Sequence, residues 1–132
     1  MKKRGYLFAL VLVLVPVLAI ACTTQVSGGG GVYTEEQARQ VAEGFIKDCP
    51  TFVFDGVESS LMLEQTLYPD IEYAWTFVYT FDSLHSGYGD RDGQMLLQVV
   101  TPHEAAITIE KGIVKTALLD GRWDMIVQQL VD

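Results

Sequence analysis

The sequence has few basic residues, and this shortage argues against two classes of function. Of its 132 residues, 9 are Lys or Arg and 17 are Asp or Glu, so the formal net charge is −8. Three of the basic residues lie within the first four positions, which leaves residues 22–132 with a net charge of −11. Nucleic-acid binding needs a basic face that displaces counterions, and docking on anionic lipid needs basic side chains as well. We therefore expect no nucleic-acid partner and no electrostatic membrane docking.

Familiar motifs of catalysis and metal binding are also missing. There is no Gly-x-Ser-x-Gly turn to present a nucleophilic serine, and no His and Cys residues pair at the spacing of zinc ligands. Residues 90–93, Asp-Arg-Asp-Gly, resemble the middle of a calcium loop, but Tyr88 and Val99 stand where two main ligands are needed. We predict no catalytic residues, no metal and no cofactor.

The N-terminal segment has the pattern of an export signal. Residues 1–4 are Met-Lys-Lys-Arg, and residues 6–21 form an almost unbroken apolar run. As a helix this run spans about 24 Å, which is short for a membrane span and typical of a signal peptide. We predict that residues 1–21 are a signal peptide, with a retained membrane anchor as the alternative.

A lipid attachment site follows the apolar run. Residues 18–22, Leu-Ala-Ile-Ala-Cys, resemble the lipobox of prokaryotic lipoproteins, with Ala19 where that family usually has Leu. The resemblance implies that Cys22 is acylated and holds the protein on the cell membrane, facing outside the cytoplasm. Plain secretion with an unmodified cysteine is the alternative.

A glycine-rich tether follows the lipobox. Residues 22–32 contain four successive glycines, which is typical of a flexible linker. Only two cysteines are present, so if Cys22 carries lipid, Cys49 cannot form an internal disulfide. We expect Cys49 to be a small, half-buried residue at the end of a helix.

The folded part begins with a predicted helix. Residues 34–37, Thr-Glu-Glu-Gln, match a capping box. The apolar residues that follow recur at helical spacing and predict one apolar stripe of an amphipathic helix, made of Ala38, Val41, Ala42, Phe45 and Ile46. Pro50 is predicted to end this helix, because the residue before a proline avoids the helical region.

From residue 51 the apolar period changes to two, which predicts strands. We expect extended segments at residues 51–54, 59–68, 71–82, 94–101, 105–110 and 113–119. Turns are expected at 55–56, 69–70 and 111–112. The strongest strand, 71–82, is predicted to cover the helix with Ile71, Tyr73, Trp75, Phe77, Tyr79 and Phe81. The spacing of Trp123, Ile126, Val127 and Leu130 predicts a short C-terminal helix, with a last strand as the alternative.

This order of elements predicts one α+β domain over residues 33–132, with an N-terminal amphipathic helix packed on a curled, mostly antiparallel sheet. It is similar to the cystatin-like arrangement, and particularly to the PepSY-type domains of exported proteins. The similarity rests on the helix start and on residues 73–77 and 106–114, the latter resembling a closing hairpin. It implies regulation or inhibition of a neighbouring extracytoplasmic enzyme, such as a protease.

A second resemblance is narrower. Residues 87–94 (Gly-Tyr-Gly-Asp-Arg-Asp-Gly-Gln), 101–103 (Thr-Pro-His) and 123–125 (Trp-Asp-Met) resemble motifs of a small family of exported archaeal and bacterial lipoproteins. That family has no assigned function, so the resemblance implies a context and no activity.

The polar loop 83–93 and its neighbours form the candidate site. Its predicted members are His85, Tyr88, Asp90, Arg91, Asp92, His103, Asp120 and Asp124. If strands 71–82 and 94–101 pair as a hairpin, loop 83–93 and His103 lie at opposite ends of the sheet, about 26 Å apart. In a structural interpretation Arg91 bridges carboxylates such as Asp90 or Asp120, while His85 and Tyr88 bind the loop to itself.

We expect a membrane-tethered extracytoplasmic lipoprotein that binds or regulates a protein partner without catalysis. Its contacts would be the membrane, through lipid on Cys22, and an extracytoplasmic protein. Two alternatives stay open. The first is a small hydrolase that uses acidic and histidine side chains of loop 83–93, and the second is a purely structural envelope protein.

Overall fold

The computed structural model describes residues 33–132. The predicted signal peptide 1–21 and tether 22–32, with Cys22, lie outside the described residues. The elements are α1 (Glu35–Asp48), α2 (Pro50–Asp55), a 3₁₀ turn (Glu58–Ser60), β1 (Met62–Leu67), β2 (Ala74–Ser83), β3 (Thr101–Glu110), β4 (Ile113–Leu119), β5 (Trp123–Asp124) and β6 (Gln129–Leu130). Neither helix of residues 33–132 has the length and apolar character needed to cross a membrane.

Helix α1 begins where the capping box predicts. The Thr34 hydroxyl accepts from the Gln37 N–H at 3.2 Å, and the Gln37 side chain accepts from the Thr34 N–H at 3.1 Å. The helix ends at Asp48 and Cys49 caps it, in agreement with the predicted effect of Pro50. Cys49 is more deeply buried than expected, at 4% exposure, and this burial raises the pKa of its thiol.

The predicted strand at residues 51–54 is wrong, because Pro50–Asp55 form the second helix, α2. Pro50 fits the first turn of a helix, where the missing N–H has no intrahelical partner to lose. A run of four residues carries too little periodicity to separate a strand from a single buried helical turn. Thr51 and Phe52 are buried, and Asp55 lies at the last position of the helix.

The six strands form one antiparallel sheet in sequence order. Strands β2 and β3 pair over ten residues, from Ala74 with Glu110 to Ser83 with Thr101. Strands β3 and β4 form the predicted hairpin around Lys111 and Gly112. One main helix beside an antiparallel sheet confirms the predicted α+β class.

The predicted strand at residues 94–101 is wrong, because residues 94–100 have no regular structure and are largely exposed. The partner of β2 is β3, whose Ala105, Ile107 and Ile109 are fully buried. Strand β3 pairs with β2 along all ten of its residues and turns these three side chains into the core. Phe81 therefore lies opposite His103, and His103 is next to loop 83–93 rather than at the far end of the sheet.

The predicted C-terminal helix is also wrong, and the alternative of a last strand holds, as β5 and β6. The Asp124 carboxylate accepts from the N–H groups of Ile126 and Val127, at 2.8 and 3.0 Å, and Gln128 adopts a φ of 57°. These contacts close a tight turn. Ile126 and Val127 are about half exposed, so no helical apolar face is buried there.

The core lies between α1 and one face of the sheet. Its α1 members are Ala38, Ala42 and Ile46, and its main sheet members are Phe77, Tyr79, Phe81, Ile107, Ile109 and Leu119. The predicted aromatic face is confirmed at Phe77, Tyr79 and Phe81, which are all buried in the core. It is wrong at Ile71, which is 54% exposed, and at Tyr73, which precedes β2 with a φ of 58°, while Trp75 is only partly buried.

Candidate functional site

Arg91 lies at the centre of the polar loop and is only 2% exposed. Its Nη2 donates to the Asp55 Oδ1 at 2.7 Å and to the Thr51 carbonyl at 3.0 Å. Its other N–H groups donate to carbonyls of the loop itself, those of His85, Ser86, Gly87 and Gly89, at 3.1–3.2 Å. Because the guanidinium is directed entirely to protein acceptors, Arg91 organises the loop and is not presented to an external anion.

The loop is shaped to surround this cation. Gly87 and Gly89 adopt φ angles of 99° and 73°, which favour glycine. A Cβ at Gly87 would lie 3.1 Å from Cδ of Arg91, a tight contact that also favours glycine there. The Phe54 ring covers the guanidinium, with Cζ 4.7 Å from the ring centroid.

The carboxylate partner of Arg91 differs from the prediction. Neither Asp90 nor Asp120 pairs with Arg91, and its partner is Asp55 at the end of α2. The Asp55 side chain is 6% exposed, and its Oδ2 lies 2.8 Å from Nδ1 of His85. The prediction that Arg91 bridges Asp90 or Asp120 is therefore wrong, and Arg91 is held by Asp55 through one hydrogen bond. The side chains of His85 and Tyr88 likewise contact Asp55 and Asp120 instead of binding the loop to itself. The sequence did not identify Asp55 as the partner of Arg91, because Asp55 was predicted to lie in a hairpin turn and not at the end of a helix.

A second polar network begins where β2 and β3 meet the loop. Nδ1 of His103 lies 2.8 Å from Oδ2 of Asp120, and Nε2 of the same ring lies 3.1 Å from the Ser83 hydroxyl. Asp120 also accepts from the Tyr88 hydroxyl at 3.0 Å and from the Glu104 N–H at 2.8 Å. Tyr88, His103 and Asp120 are therefore brought together as a group, although the predicted hairpin separated His103 from the loop.

This connectivity matches that of nucleophilic catalysis, in which a histidine links a serine hydroxyl to a carboxylate. Ser83 was not among the predicted residues, because its histidine partner lies 20 positions away in the chain and the aspartate that contacts this histidine lies a further 17 positions on. However, Ser83 has 0% exposure, and its hydroxyl also donates to the His85 carbonyl at 2.8 Å. A substrate carbonyl cannot reach the hydroxyl in this conformation.

The remaining predicted residues make local contacts. Asp90 accepts from the Asp92 N–H at 3.0 Å, and Asp124 holds the turn between β5 and β6. Asp90 and Asp92 line an open cavity of about 460 Å³ together with Asp48, Pro50, Val53 and Phe54. Within residues 33–132, no three His, Cys, Asp or Glu side chains converge in a way that could hold a metal ion.

An exposed apolar stretch connects loop 83–93 to β3. We call residues 94–100 (Gln-Met-Leu-Leu-Gln-Val-Val) the 94–100 segment. Its apolar side chains are widely exposed, at 104% for Met95, 74% for Leu97, 51% for Val99 and 60% for Val100. The Gln94 N–H donates to the Arg91 carbonyl at 3.1 Å, and the Ser86 N–H donates to the Leu97 carbonyl at 3.4 Å. The scaffold around Arg91 therefore holds an apolar stretch at the surface.

Comparison with models of protein families, with curated protein sequences and with solved structures finds no match to this chain. The geometry of the described residues is therefore the basis for assigning a function.

Asp120 gives the folded domain a pH-dependent contribution to stability. Burial alone would raise the pKa of this carboxyl, but hydrogen bonds from His103, the Glu104 N–H and Tyr88 outweigh burial and lower it. Because the folded-state pKa is lowered, the contribution is complete above the ordinary aspartate pKa of about 3.9 and is lost as the pH falls below that value. We predict that Asp120→Asn loses less stability than the wild type between about pH 5 and about pH 3.

Urea denaturation followed by tryptophan fluorescence measures this difference. The control is Asp92→Asn, since Asp92 is exposed and its carboxylate makes no hydrogen bond to residues 33–132. The control should follow the wild-type pH profile. Identical profiles for Asp120→Asn and the wild type would contradict the role assigned to Asp120.

Proposed function

We propose that the protein is a membrane-tethered extracytoplasmic lipoprotein whose folded domain binds a protein partner without catalysis. The lipobox resemblance around Cys22 supports the tether. The observation that carries the binding role is the exposed 94–100 segment. Single exposed apolar residues are common on protein surfaces, but a contiguous apolar patch is a feature of interaction sites.

The buried state of the reactive side chains supports a role without catalysis. Arg91, Ser83 and His103 are 0–3% exposed, and their polar atoms are bonded to other parts of the domain. Groups that bind substrate must face a cleft. Here they stabilise the loop that carries the apolar surface.

We also propose a specific fold within the α+β class, a cystatin-like or PepSY-like domain with a curled sheet. The packing of one amphipathic helix on one face of an antiparallel sheet supports this fold. In domains of the PepSY type, the implied role is regulation of a neighbouring extracytoplasmic enzyme. The proposal also includes kinship with a small group of exported lipoproteins, which the resemblance of residues 87–94, 101–103 and 123–125 to their motifs supports.

The second candidate is a small hydrolase, and the Ser83–His103–Asp120 connectivity favours it. A fluorophosphonate probe tests this candidate, because an activated serine oxygen displaces fluoride from phosphorus while histidine takes the hydroxyl proton. The binding proposal predicts no labelling of the intact wild-type protein. Labelling of the wild type that is abolished in Ser83→Ala would establish the hydrolase and overturn the proposal.

The membrane tether is tested by Cys22→Ser in the cells that make the protein. We predict that the wild type fractionates with membranes and that mass spectrometry of its N-terminus finds an acylated Cys22. The variant should leave the membrane fraction or accumulate as a longer precursor, because serine has no thiol to acylate. Cys49→Ser is the matched control and should fractionate like the wild type. A wild-type N-terminus with a free, unmodified cysteine would contradict the tether.

A further inference from the structure

We infer that one end of the domain rests on the membrane surface through a cluster of tyrosine and isoleucine side chains, which we call the tyrosine end. Its members are Tyr33, Tyr68, Ile71, Tyr73 and Ile113. The inference rests on the proposed lipid tether and adds the orientation in which the domain is held. It depends on three observations: the grouping of these side chains, the point at which the chain enters the domain, and the charge around the cluster.

Ring contacts and backbone hydrogen bonds bring the centre of the cluster together. The Tyr33 and Tyr73 rings lie 5.9 Å apart, centroid to centroid. Tyr33 also lies against the β3–β4 turn, where a Cβ at Gly112 would be 3.0 Å from its Cε1. The Tyr73 carbonyl accepts from the Lys111 N–H at 2.9 Å, in the turn that leads into Ile113. The start of the described chain, the start of β2 and the β3–β4 turn therefore meet at one end of the sheet.

Tyr68 and Ile71 extend the cluster along the connection between β1 and β2. The Tyr68 hydroxyl lies 3.3 Å from both carboxylate oxygens of Glu35, in the first turn of α1. Ile71 is two residues before Tyr73. The most exposed members are Tyr68 at 68%, Ile113 at 62%, Ile71 at 54% and Tyr33 at 40%. Contiguous exposed apolar side chains are a feature of contact surfaces.

The chain that leads to the proposed lipid enters the domain at this same end. Cys22 lies 11 positions before Tyr33, and a chain of that length spans at most about 40 Å when fully extended. A short flexible link gives the two groups that it joins an effective concentration on the order of 1 mM. Weak apolar contacts are therefore sufficient to hold the tyrosine end on the bilayer that carries the lipid.

The side chains are of the kind that membrane interfaces accept. Tyrosine is enriched at the level of lipid headgroups, because its ring is apolar while its hydroxyl stays hydrated. Ile71 and Ile113 add exposed apolar area, which gains free energy when lipid covers it. The cluster thus combines the ring that anchors at an interface with aliphatic groups that enter it.

Charge selects the kind of lipid. The exposed Asp70 and Glu72 flank Ile71, and the exposed Lys111 precedes Ile113 by two positions. The two carboxylates outnumber this cation, so anionic lipid repels the tyrosine end. Docking therefore takes place on neutral, zwitterionic headgroups through apolar contact, which agrees with the shortage of basic residues in the chain.

This orientation directs the proposed partner surface away from the membrane. Strand β2 runs from Ala74, at the tyrosine end, to Ser83, and its ten residues span about 30 Å. The 94–100 segment joins β3 at Thr101, which pairs with Ser83. The segment therefore lies at the end of the sheet that is farther from the bilayer, where another extracytoplasmic protein can reach it.

A fluorescent label on each end tests the orientation. The full lipoprotein carries Cys49→Ser, so that the acylated Cys22 is its one native cysteine, and is reconstituted into phosphatidylcholine vesicles. An NBD group is attached to Ile113→Cys, or to Leu97→Cys as the control. The lifetime of NBD lengthens at a membrane interface, where spin-labelled lipid also quenches it. We predict a long, quenchable lifetime at position 113 and a short, unquenched lifetime at position 97.

Surface substitutions locate the contact, with the label kept at position 113. Ile71→Asp adds a charge to the tyrosine end and should lower the ratio of docked to free label by at least about tenfold. The matched control is Leu84→Asp, because Leu84 is 51% exposed and follows Ser83 at the other end of β2. It should leave the ratio unchanged. Vesicles that contain phosphatidylglycerol should dock the domain less than vesicles of phosphatidylcholine alone.

Four outcomes would overturn the inference. One is a short lifetime at position 113 in vesicles that carry the acylated protein, and another is a ratio that Ile71→Asp leaves unchanged. The third is stronger docking on phosphatidylglycerol, which would mean electrostatic attachment. The fourth is a long lifetime that appears only at a high ratio of protein to lipid, which would make a second copy the occupant.

The lipid tether is measured separately, by mass spectrometry of Cys22 and by flotation of the protein with vesicles. If the protein is acylated and floats while the label at position 113 stays in water, the tether stands and only the orientation is wrong. If Cys22 is not acylated in the cells that make the protein, the proposed tether fails and the inference fails with it.

Discussion

The buried ion pair between Asp55 and Arg91 is the contact on which the surface of this domain depends. It connects the end of α2 to a loop 36 residues later, across a distance of 2.7 Å. Removing one partner of such a pair leaves the other charge buried without compensation. The resulting loss of stability is much larger than the net stability that the intact pair contributes. Four loop carbonyls converge on the same guanidinium, so the path of the chain from His85 to Gly89 follows from the position of one side chain.

The two polar networks meet at His85 and therefore act on the same loop. The His85 carbonyl accepts from Arg91 and from the Ser83 hydroxyl, and Ser83 contacts His103. The side chains of Ser83, His103 and Arg91 are thus bonded within the domain, where they stabilise loop 83–93. What the loop presents outward is the apolar 94–100 segment, which accounts for the combination of buried polar groups and exposed apolar ones.

Local signals in the sequence predicted local structure well, and long-range pairing poorly. The capping box at Thr34 and the β3–β4 hairpin were predicted because neighbouring residues determine them. Asp55 could not be identified as the partner of Arg91, nor Ser83 as the partner of His103, since both contacts join distant segments. The apolar residues of 94–101 resembled those of a strand because a short apolar pattern is the same whether the domain buries the side chains or leaves them exposed.

The most direct test of this account is a double-mutant cycle on Asp55 and Arg91, measured by urea denaturation. The account predicts that Asp55→Asn and Arg91→Ala each lower the free energy of unfolding by about 3–5 kcal/mol, because each leaves a buried polar partner without its counterpart. It further predicts that the double variant is more stable than the sum of the two losses allows, by at least about 1 kcal/mol. Two small and additive losses would contradict the claim that this ion pair fixes the loop.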